Sequence, residues 1–546
     1  MVTRDLALVN AQLITNTEAD AEATAVLVTG GRIALLGRDA HVSARARDLG
    51  IEVRDLEGAV ITPGLFDSHT HPHWAAELTR GIDFGGIDTV SELQAATAAY
   101  AATLPPGAWV VGWNLEFDAF ADTGVNGRLF DHACDRRPFA AMFYDLHTAI
   151  ANPAALAAAG IVNRPRFDDT SELVVDEAGE LTGELRESTA YRLVFDVIPP
   201  LGHDEERDRL RDMFRRFTAV GLTGGAIMDG KPRTVDLIEE IEARGELDQR
   251  LVVHHWHAVH DDDAAITRVI AAKDRRGTLW ETNAVKLFSD GVIDTGTALL
   301  HEADACGDGE HAFWPDWGRF QEVVRAYHDA GMLIATHAVG DLAVNQVLET
   351  YRGLAERDGS PAHSIEHLEV LADEDLTALA GSGITASMQP LHMQWRAPDL
   401  SDNWAARLGT RAGTGYRVRA VLDTGTRVVL GSDWPVAHYD PRIGMAWARG
   451  RHAPESASAH VFEPDQRLTG DEALRAYTLW PAQARGYMDR GLLAPGAVAD
   501  LTIWGGDPVA ASPEELIAIE IVATIVDGRI VHDSTPAPMA ASSSRP

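Results

Sequence analysis

Short apolar runs alternate with amphipathic stretches through the middle of this 546-residue chain. Segments between the runs, such as WGRFQEVVRAYHDAG, carry apolar residues at helical spacing and end in glycine. Eight runs have the length of buried strands: 61–69, 222–228, 251–257, 284–290, 333–338, 364–369, 384–389 and 427–433. Eight strand–helix units predict an α/β fold, a (β/α)8 barrel of the TIM type. A doubly wound open sheet would show the same alternation, so periodicity alone does not choose between them.

The two ends of the chain have a different pattern, in which short alternating strands are separated by turn residues. The simplest interpretation is a small β-sandwich domain built from residues 1–60 and 495–533, with the barrel, 61–494, between them. About 150 residues separate the first two barrel strands, which is far more than a connecting loop needs, so 72–221 is predicted to be an inserted subdomain. The Pro/Ser/Ala-rich tail, 534–546, has little to bury and is predicted to be disordered.

Composition narrows the class of protein. Hydrophobic residues make up 45% of the chain and charged residues 24%, which are globular values. The 47 basic and 82 acidic residues give a net charge of −35, which disfavours nucleic acid and anionic membranes as partners. Only Cys134 and Cys306 are present, so a disulfide framework is not expected. With no leader-like N-terminus and no run of 18 apolar residues, we predict a cytoplasmic protein that acts on a small molecule.

Histidines recur where the predicted strands end. His69 and His71 occupy positions i and i+2 of a strand, so both side chains face the same way, and imidazole pairs suit zinc and similar divalent ions. His337 and His367 each end a later strand, and Asp433 ends the last one. A single residue of this kind is commonly structural, but all of them would converge at the carboxyl-terminal mouth of one barrel. The pattern therefore predicts a metal site in which Asp433 acts as a ligand or moves protons.

A competing motif occurs at residues 363–367, which read HSIEH and match the H-x-x-E-H pattern of some zinc proteases. That chemistry requires a helix, whereas this segment follows Pro361 and has the length of a strand. In a strand, Glu366 and His367 would point to opposite faces. The protease interpretation is therefore disfavoured.

These motifs together resemble the metal-dependent amidohydrolase superfamily. The resemblance rests on PGLFDSHTH after a β-rich start, VK on a middle strand, single histidines on the next two strands, GSD on the last, and LAPGAVADLTIW on the return to the small domain. WVVGWNLEFD, DLHTAIANPAAL, VKLFSDG, SIEHLEV and SMQPLH point to a branch similar to N-substituted formamide deformylases. The match runs from residue 5 to about 533.

The resemblance implies a ligand set and an activity. It assigns metal binding to His69, His71, Lys286, His337, His367 and Asp433, with Lys286 carboxylated as a bridge if two ions bind, and Asp433 as the catalytic proton carrier. Zinc is the expected metal, as one ion or two. The expected reaction is hydrolysis of a carbon–nitrogen bond in a linear amide, an N-formyl or N-acyl amine, by a metal-bound hydroxide. Trp113, His147 and His392, which lie in the branch motifs, are expected to contact the substrate.

Other interpretations stay open at this stage. A cyclic-amide hydrolase, an isomerase or a decarboxylase could use the same barrel, and a catalytically inactive assembly scaffold is a further alternative. Lys286 could instead be an ordinary ion-pair partner. The family resemblance also makes a homodimer an expectation, while the identity of the substrate is not readable from the sequence.

Overall fold

The computed structural model describes residues 5–17, 22–167, 171–310, 312–354, 362–455 and 460–534. The disorder predicted for 534–546 concerns residues that, apart from Ser534, lie outside this part of the chain. Among the described residues, no helix has the length and apolar character that crossing a bilayer requires.

Eight parallel strands form the central sheet, and each pairs with its neighbours in chain order. They are Leu65–Thr70, Leu222–Gly230, Arg250–Trp256, Trp280–Phe288, Leu333–Ala338, Ser364–His367, Thr385–Met388 and Arg427–Leu430. The first and last strands meet, because the Asp433 N–H donates to the His69 carbonyl at 2.7 Å and the His71 N–H donates to the Trp434 carbonyl at 2.7 Å. The sheet is therefore a barrel, as predicted, and the open-sheet alternative is excluded.

The prediction of one continuous strand over 61–69 was wrong. Val60–Pro63 belongs to a separate sheet, and the first barrel strand starts at Leu65. Gly64 lies at the junction, where an added Cβ would be 2.2 Å from Thr223 Oγ1. Only a residue without a side chain lets the two sheets approach this closely.

The helices bury their apolar residues against the barrel or against one of the smaller sheets. In the helix His203–Ala219, the buried residues Leu210, Met213, Phe214 and Phe217 recur at helical spacing and join the main hydrophobic cluster. The other α-helices are Asp39–Leu49, Pro72–Leu78, Val90–Ala101, Pro153–Ala158, Ser188–Phe195, Pro232–Ala243, Asp263–Ala272, Trp317–Asp329, Asp341–Arg352, Asp373–Leu379, Asn403–Leu408, Val418–Asp423, Pro441–Gly450, Gly470–Ala476, Leu479–Ala484 and Pro513–Leu516. Short 3-10 helices span Phe117–Phe120, Gly127–Phe130, Pro390–Trp395, Gly409–Thr414 and Pro464–Gln466.

Two further sheets lie outside the barrel, one built from the N-terminal end of the chain and one from both ends. A four-stranded sheet contains Leu6–Val9, Ala25–Thr29, Arg32–Gly37 and Val53–Asp55. A five-stranded sheet contains Gln12–Leu13, Val60–Pro63, Leu501–Trp504, Ile521–Val526 and Arg529–Asp533. Leu8, Val26, Leu501 and Ile525, which come from both sheets, share one buried cluster. The division into a composite domain, 1–60 plus 495–533, and a barrel remains our proposal.

Residues within 72–221 build a sheet of their own, which has six strands. The strands are Ile82–Asp83, Val110–Leu115, Phe139–Phe143, Thr148–Ala151, Glu172–Val175 and Leu181–Arg186. This sheet contacts the barrel mouth, because the Trp113 ring packs edge-on against Trp434 with centroids 5.7 Å apart.

Candidate active site

His69 lies in the first barrel strand, and His71 directly follows the last residue of that strand, Thr70. Their ring centroids are 5.3 Å apart, and both residues are buried. The Nδ1 atom of His69 lies 2.6 Å from Glu366 Oε2. Because a carboxylate accepts hydrogen bonds, this contact places the proton on Nδ1 and directs the lone pair of Nε2 toward the barrel mouth.

His337 and His367 approach the same point from the fifth and sixth strands. Their ring centroids are 4.4 Å apart, and that of His367 is 4.8 Å from His69. The Nε2 atom of His337 lies 2.9 Å from the Gly291 carbonyl oxygen, which can only accept, so the Nδ1 lone pair of His337 is left available.

Glu366 and His367 both face the site, although strand alternation predicts opposite faces. The backbone explains this difference. His367 has φ 79° and Leu368 has φ 46°, so the extended conformation ends at Glu366 and the next side chain turns back inward. No sequence pattern predicts this change of backbone conformation, since neither residue is a glycine.

Lys286 and Asp433 complete the group. Lys286 Nζ lies 3.2 Å from His69 Nε2, while its neighbours Val285 and Leu287 pack in the hydrophobic cluster outside the barrel. Asp433 Oδ1 lies 3.1 Å from His71 Nε2. The structure therefore brings together all six residues that the sequence analysis selected as ligands.

Burial controls the charge of these groups. It lowers the pKa values of His69, His337 and His367 far below the usual range, and the neighbouring cationic groups lower them further. Burial also lowers the pKa of Lys286 to about 8. Burial would raise the pKa of the Asp433 carboxyl, but the hydrogen bond from His71 and the charges of His71, His392 and Lys286 together hold this pKa below its usual value.

This donor set fits a divalent metal. One ligand atom each from His69, His367 and Asp433 lie within 4.8 Å of one another, and all three residues are buried. Buried, neutral imidazoles with oriented lone pairs beside an ionised carboxylate are the donors that zinc and similar ions prefer.

A cavity of about 520 Å³ opens beside these residues. His71, Lys286, His337, His367 and Asp433 form its inner wall. Five aromatic residues also line the cavity, Trp74, Tyr191, Trp256, Phe288 and Phe313, together with charged residues such as Glu187, Arg192 and Asp196. The residues therefore surround a space that is large enough for an apolar group of drug-like size.

A small compartment of about 50 Å³ lies on the other side of the same residues. Asp145, His147, His337, His367, Asp433 and Val436 line both spaces. The remaining wall of the small compartment includes Tyr144, Asp294, Glu369, His392 and Trp395. We call the shared lining residues the junction. A molecule that reacts at the junction would have much more space for the end in the large cavity than for the end in the small compartment.

The three residues that were expected to contact the substrate differ in which of the two spaces they line. His147 lines both spaces, and His392 lines the small compartment. Trp113 is buried behind Trp434 and is absent from the described lining of either space. Glu187, which lines the large cavity, was not among the predicted residues, because nothing in the local sequence relates it to His147 forty residues earlier.

Residues 52–532 match the amidohydrolase family. The chain therefore belongs to this family and is a metal-dependent hydrolase that acts on carbon–nitrogen bonds.

Among its relatives, the chain is 27% identical to the N-substituted formamide deformylase of Arthrobacter pascens, over 97% of this chain and 99% of that protein. Two solved structures share the fold. An uncharacterized metal-dependent hydrolase from Pyrococcus furiosus has a TM-score of 0.71 at 22% identity and covers 92% of this chain and 100% of its own. Another from Pyrococcus horikoshii OT3 has a TM-score of 0.73 at 20% identity and covers 93% of this chain and 99% of its own.

Proposed function

We propose that this enzyme hydrolyses a linear amide, an N-formyl or N-acyl amine, in which one side of the amide bond is bulky and apolar and the other is small. The observation that carries the proposal is the junction at Asp433, which has a cavity of about 520 Å³ on one side and a compartment of about 50 Å³ on the other. Similarity to a formamide deformylase over the whole chain supports the same substrate class.

The proposed metal ligands are His69, His71, Lys286, His337, His367 and Asp433, and zinc is the proposed ion. When bound, such an ion polarises the amide carbonyl and lowers the pKa of water. Glu366 holds the His69 ring so that Nε2 remains available for the ion. Asp433 takes a proton from the attacking water and returns it to the leaving nitrogen, two jobs that occur in sequence.

Lys286 is proposed to react with carbon dioxide before it binds metal. Its neutral amine forms an N–C bond to carbon dioxide and releases one proton, which leaves a carbamate anion. The low pKa of Lys286 supports this step, because it increases the fraction of neutral amine near pH 7. A carbamate also resolves the difficulty that an ammonium group 3.2 Å from His69 Nε2 would repel a metal ion.

The test is to remove metal with a chelator, reload zinc, manganese or cobalt, and assay N-benzylformamide, N-benzylacetamide and a cyclic amide such as a hydantoin. We expect the metal-free protein to be inactive and the reloaded protein to hydrolyse a linear amide fastest. Faster turnover of the cyclic amide would favour a cyclic-amide hydrolase, and a protein that binds none of the three metals would favour a scaffold. A cytoplasmic location and a homodimer remain predictions, which cell fractionation and light scattering would test.

A further inference from the structure

Tyr144 and Trp395 form a stacked pair in the wall of the small compartment. Their ring centroids are 4.3 Å apart, and the angle between the ring planes is 13°. Within the part of the chain that the structure describes, both residues line the small compartment and neither lines the large cavity. Tyr144 directly follows the inserted strand Phe139–Phe143, and Trp395 ends the 3-10 helix Pro390–Trp395 that comes after the seventh barrel strand. The inserted sheet and the barrel therefore build this wall together.

Hydrogen bonds hold this wall in place. The Tyr144 N–H donates to the Leu115 carbonyl at 3.0 Å, and the Tyr144 hydroxyl donates to Asp294 Oδ1 at 3.2 Å. Glu369, another residue of the wall, accepts a hydrogen bond from Trp404 Nε1 at 2.9 Å. Because these groups are bonded to other residues of the protein and packed together, we expect the compartment to select a bound group by its size.

The volume of the small compartment limits the group that it can admit. A cavity needs roughly 10–15 Å³ to hold one water-sized group. The compartment of about 50 Å³ therefore admits about three to five non-hydrogen atoms. A longer group would have to separate the Tyr144 and Trp395 rings, and forcing extra atoms into a packed site typically weakens binding about 10- to 100-fold.

We propose that the stacked pair of Tyr144 and Trp395 determines the specificity for the acyl group of the substrate. The acyl group enters the small compartment, and the pair excludes acyl chains that extend more than about five atoms beyond the carbonyl carbon. In an N-formyl amine the acyl group is the smaller side of the amide bond, so the bulky amine group occupies the large cavity. This inference rests on the proposed amide hydrolysis and deepens it, because it names the side of the amide that the small compartment receives.

The experiment measures kcat/KM of zinc-loaded protein for N-benzylacetamide and N-benzyloctanamide, two alkyl amides of similar intrinsic reactivity. Their octanoyl-to-acetyl ratio does not depend on the fraction of protein that is folded or loaded with metal, so a purely structural defect leaves it unchanged. We expect a ratio below about 0.01 in the parent and a rise of at least about tenfold in Trp395→Ala. Trp395→Phe keeps a ring beside Tyr144, and its ratio should stay within about threefold of that of the parent.

Trp317→Ala is the matched control for Trp395→Ala. Trp317 also stacks on a ring, that of Phe320, with centroids 4.2 Å apart, and it is not among the described residues that line either space. The control should therefore keep the octanoyl-to-acetyl ratio of the parent.

An unchanged ratio in Trp395→Ala would overturn the inference, as would an equal rise in Trp317→Ala or equal hydrolysis of both amides by the parent. N-methyl-2-phenylacetamide exchanges the large and small ends of N-benzylacetamide. Faster hydrolysis of this reversed amide would place the amine in the small compartment, which also overturns the inference. If the parent protein hydrolyses no amide, the proposed function fails, and the dissociation constants of the two N-benzyl amides, measured by calorimetry, decide the role of the pair. Tighter binding of N-benzyloctanamide alone in Trp395→Ala would support it, and unchanged binding would overturn it.

Discussion

The contact between Glu366 and His69 gives the sharpest quantitative prediction. Glu366 is 1% exposed, its Oε2 lies 2.6 Å from His69 Nδ1, and its other oxygen accepts a hydrogen bond from Ser364. Hydrogen bonds to a charged group contribute about 1.5–3 kcal/mol. Since about 1.4 kcal/mol corresponds to a factor of ten, Glu366→Ala should weaken zinc binding about 10- to 100-fold, the range found when an outer partner of a metal ligand is removed.

Glu366→Gln separates charge from shape. The amide oxygen still accepts a hydrogen bond from the His69 Nδ1–H, but charge-assisted bonds are roughly twice as strong as neutral ones, so about half of the hydrogen bond's contribution should be lost. We therefore expect zinc affinity to fall about three- to tenfold in Glu366→Gln. Glu184→Ala is a suitable control, because Glu184 is also buried but pairs with Arg186 in the inserted sheet.

The assay is competition for zinc against a chromophoric chelator at fixed pH, with Tm of the metal-free protein measured alongside. Equal zinc affinity in Glu366→Ala and the parent would refute the argument that Glu366 orients His69 for metal binding. A loss in Glu366→Gln as large as that in Glu366→Ala would show that packing around residue 366, rather than the carboxylate, sets the affinity.

Three further outcomes are expected. Asp433→Asn should keep at least part of its zinc while kcat falls about 10²- to 10⁴-fold, and parallel loss of metal and activity would make Asp433 mainly a ligand. Lys286→Ala should lose bound metal and activity and be partly rescued by acetate or propionate, whereas rescue by alkylamines instead would disprove the carbamate. Gly64→Ala should lower the free energy of unfolding by about 1–3 kcal/mol, measured by chemical denaturation, because its Cβ would meet Thr223 at 2.2 Å. Gly413→Ala, where an added Cβ meets nothing within 4 Å, should change stability by less than about 0.5 kcal/mol.

Much of the barrel could be predicted from local pattern. Each of the eight apolar runs contains all or part of a barrel strand, because strands buried on both faces are rich in apolar residues and this pattern is visible without any long-range contact. The same logic placed His69, His71, His337, His367 and Asp433 at strand ends, and parallel strands in a barrel bring those ends to one mouth. Lys286 was expected at the site only from the family resemblance, and the structure places its Nζ at His69 Nε2, with Val285 and Leu287 in the hydrophobic cluster.

Other features depend on contacts between distant residues, and only the tertiary structure decided them. Closure of the barrel rests on hydrogen bonds between residues 69–71 and 433–434, and the break at Gly64 rests on Thr223 from the next strand. His367 faces the same site as Glu366 because the backbone turns at His367 into a left-handed conformation. His147 and Glu187 are forty positions apart, and they meet only because two strands of the inserted sheet pair in register. Hydrophobic periodicity indicates which face of one strand or helix is buried. Contacts between distant strands depend on how the elements pack, which no single segment of sequence determines.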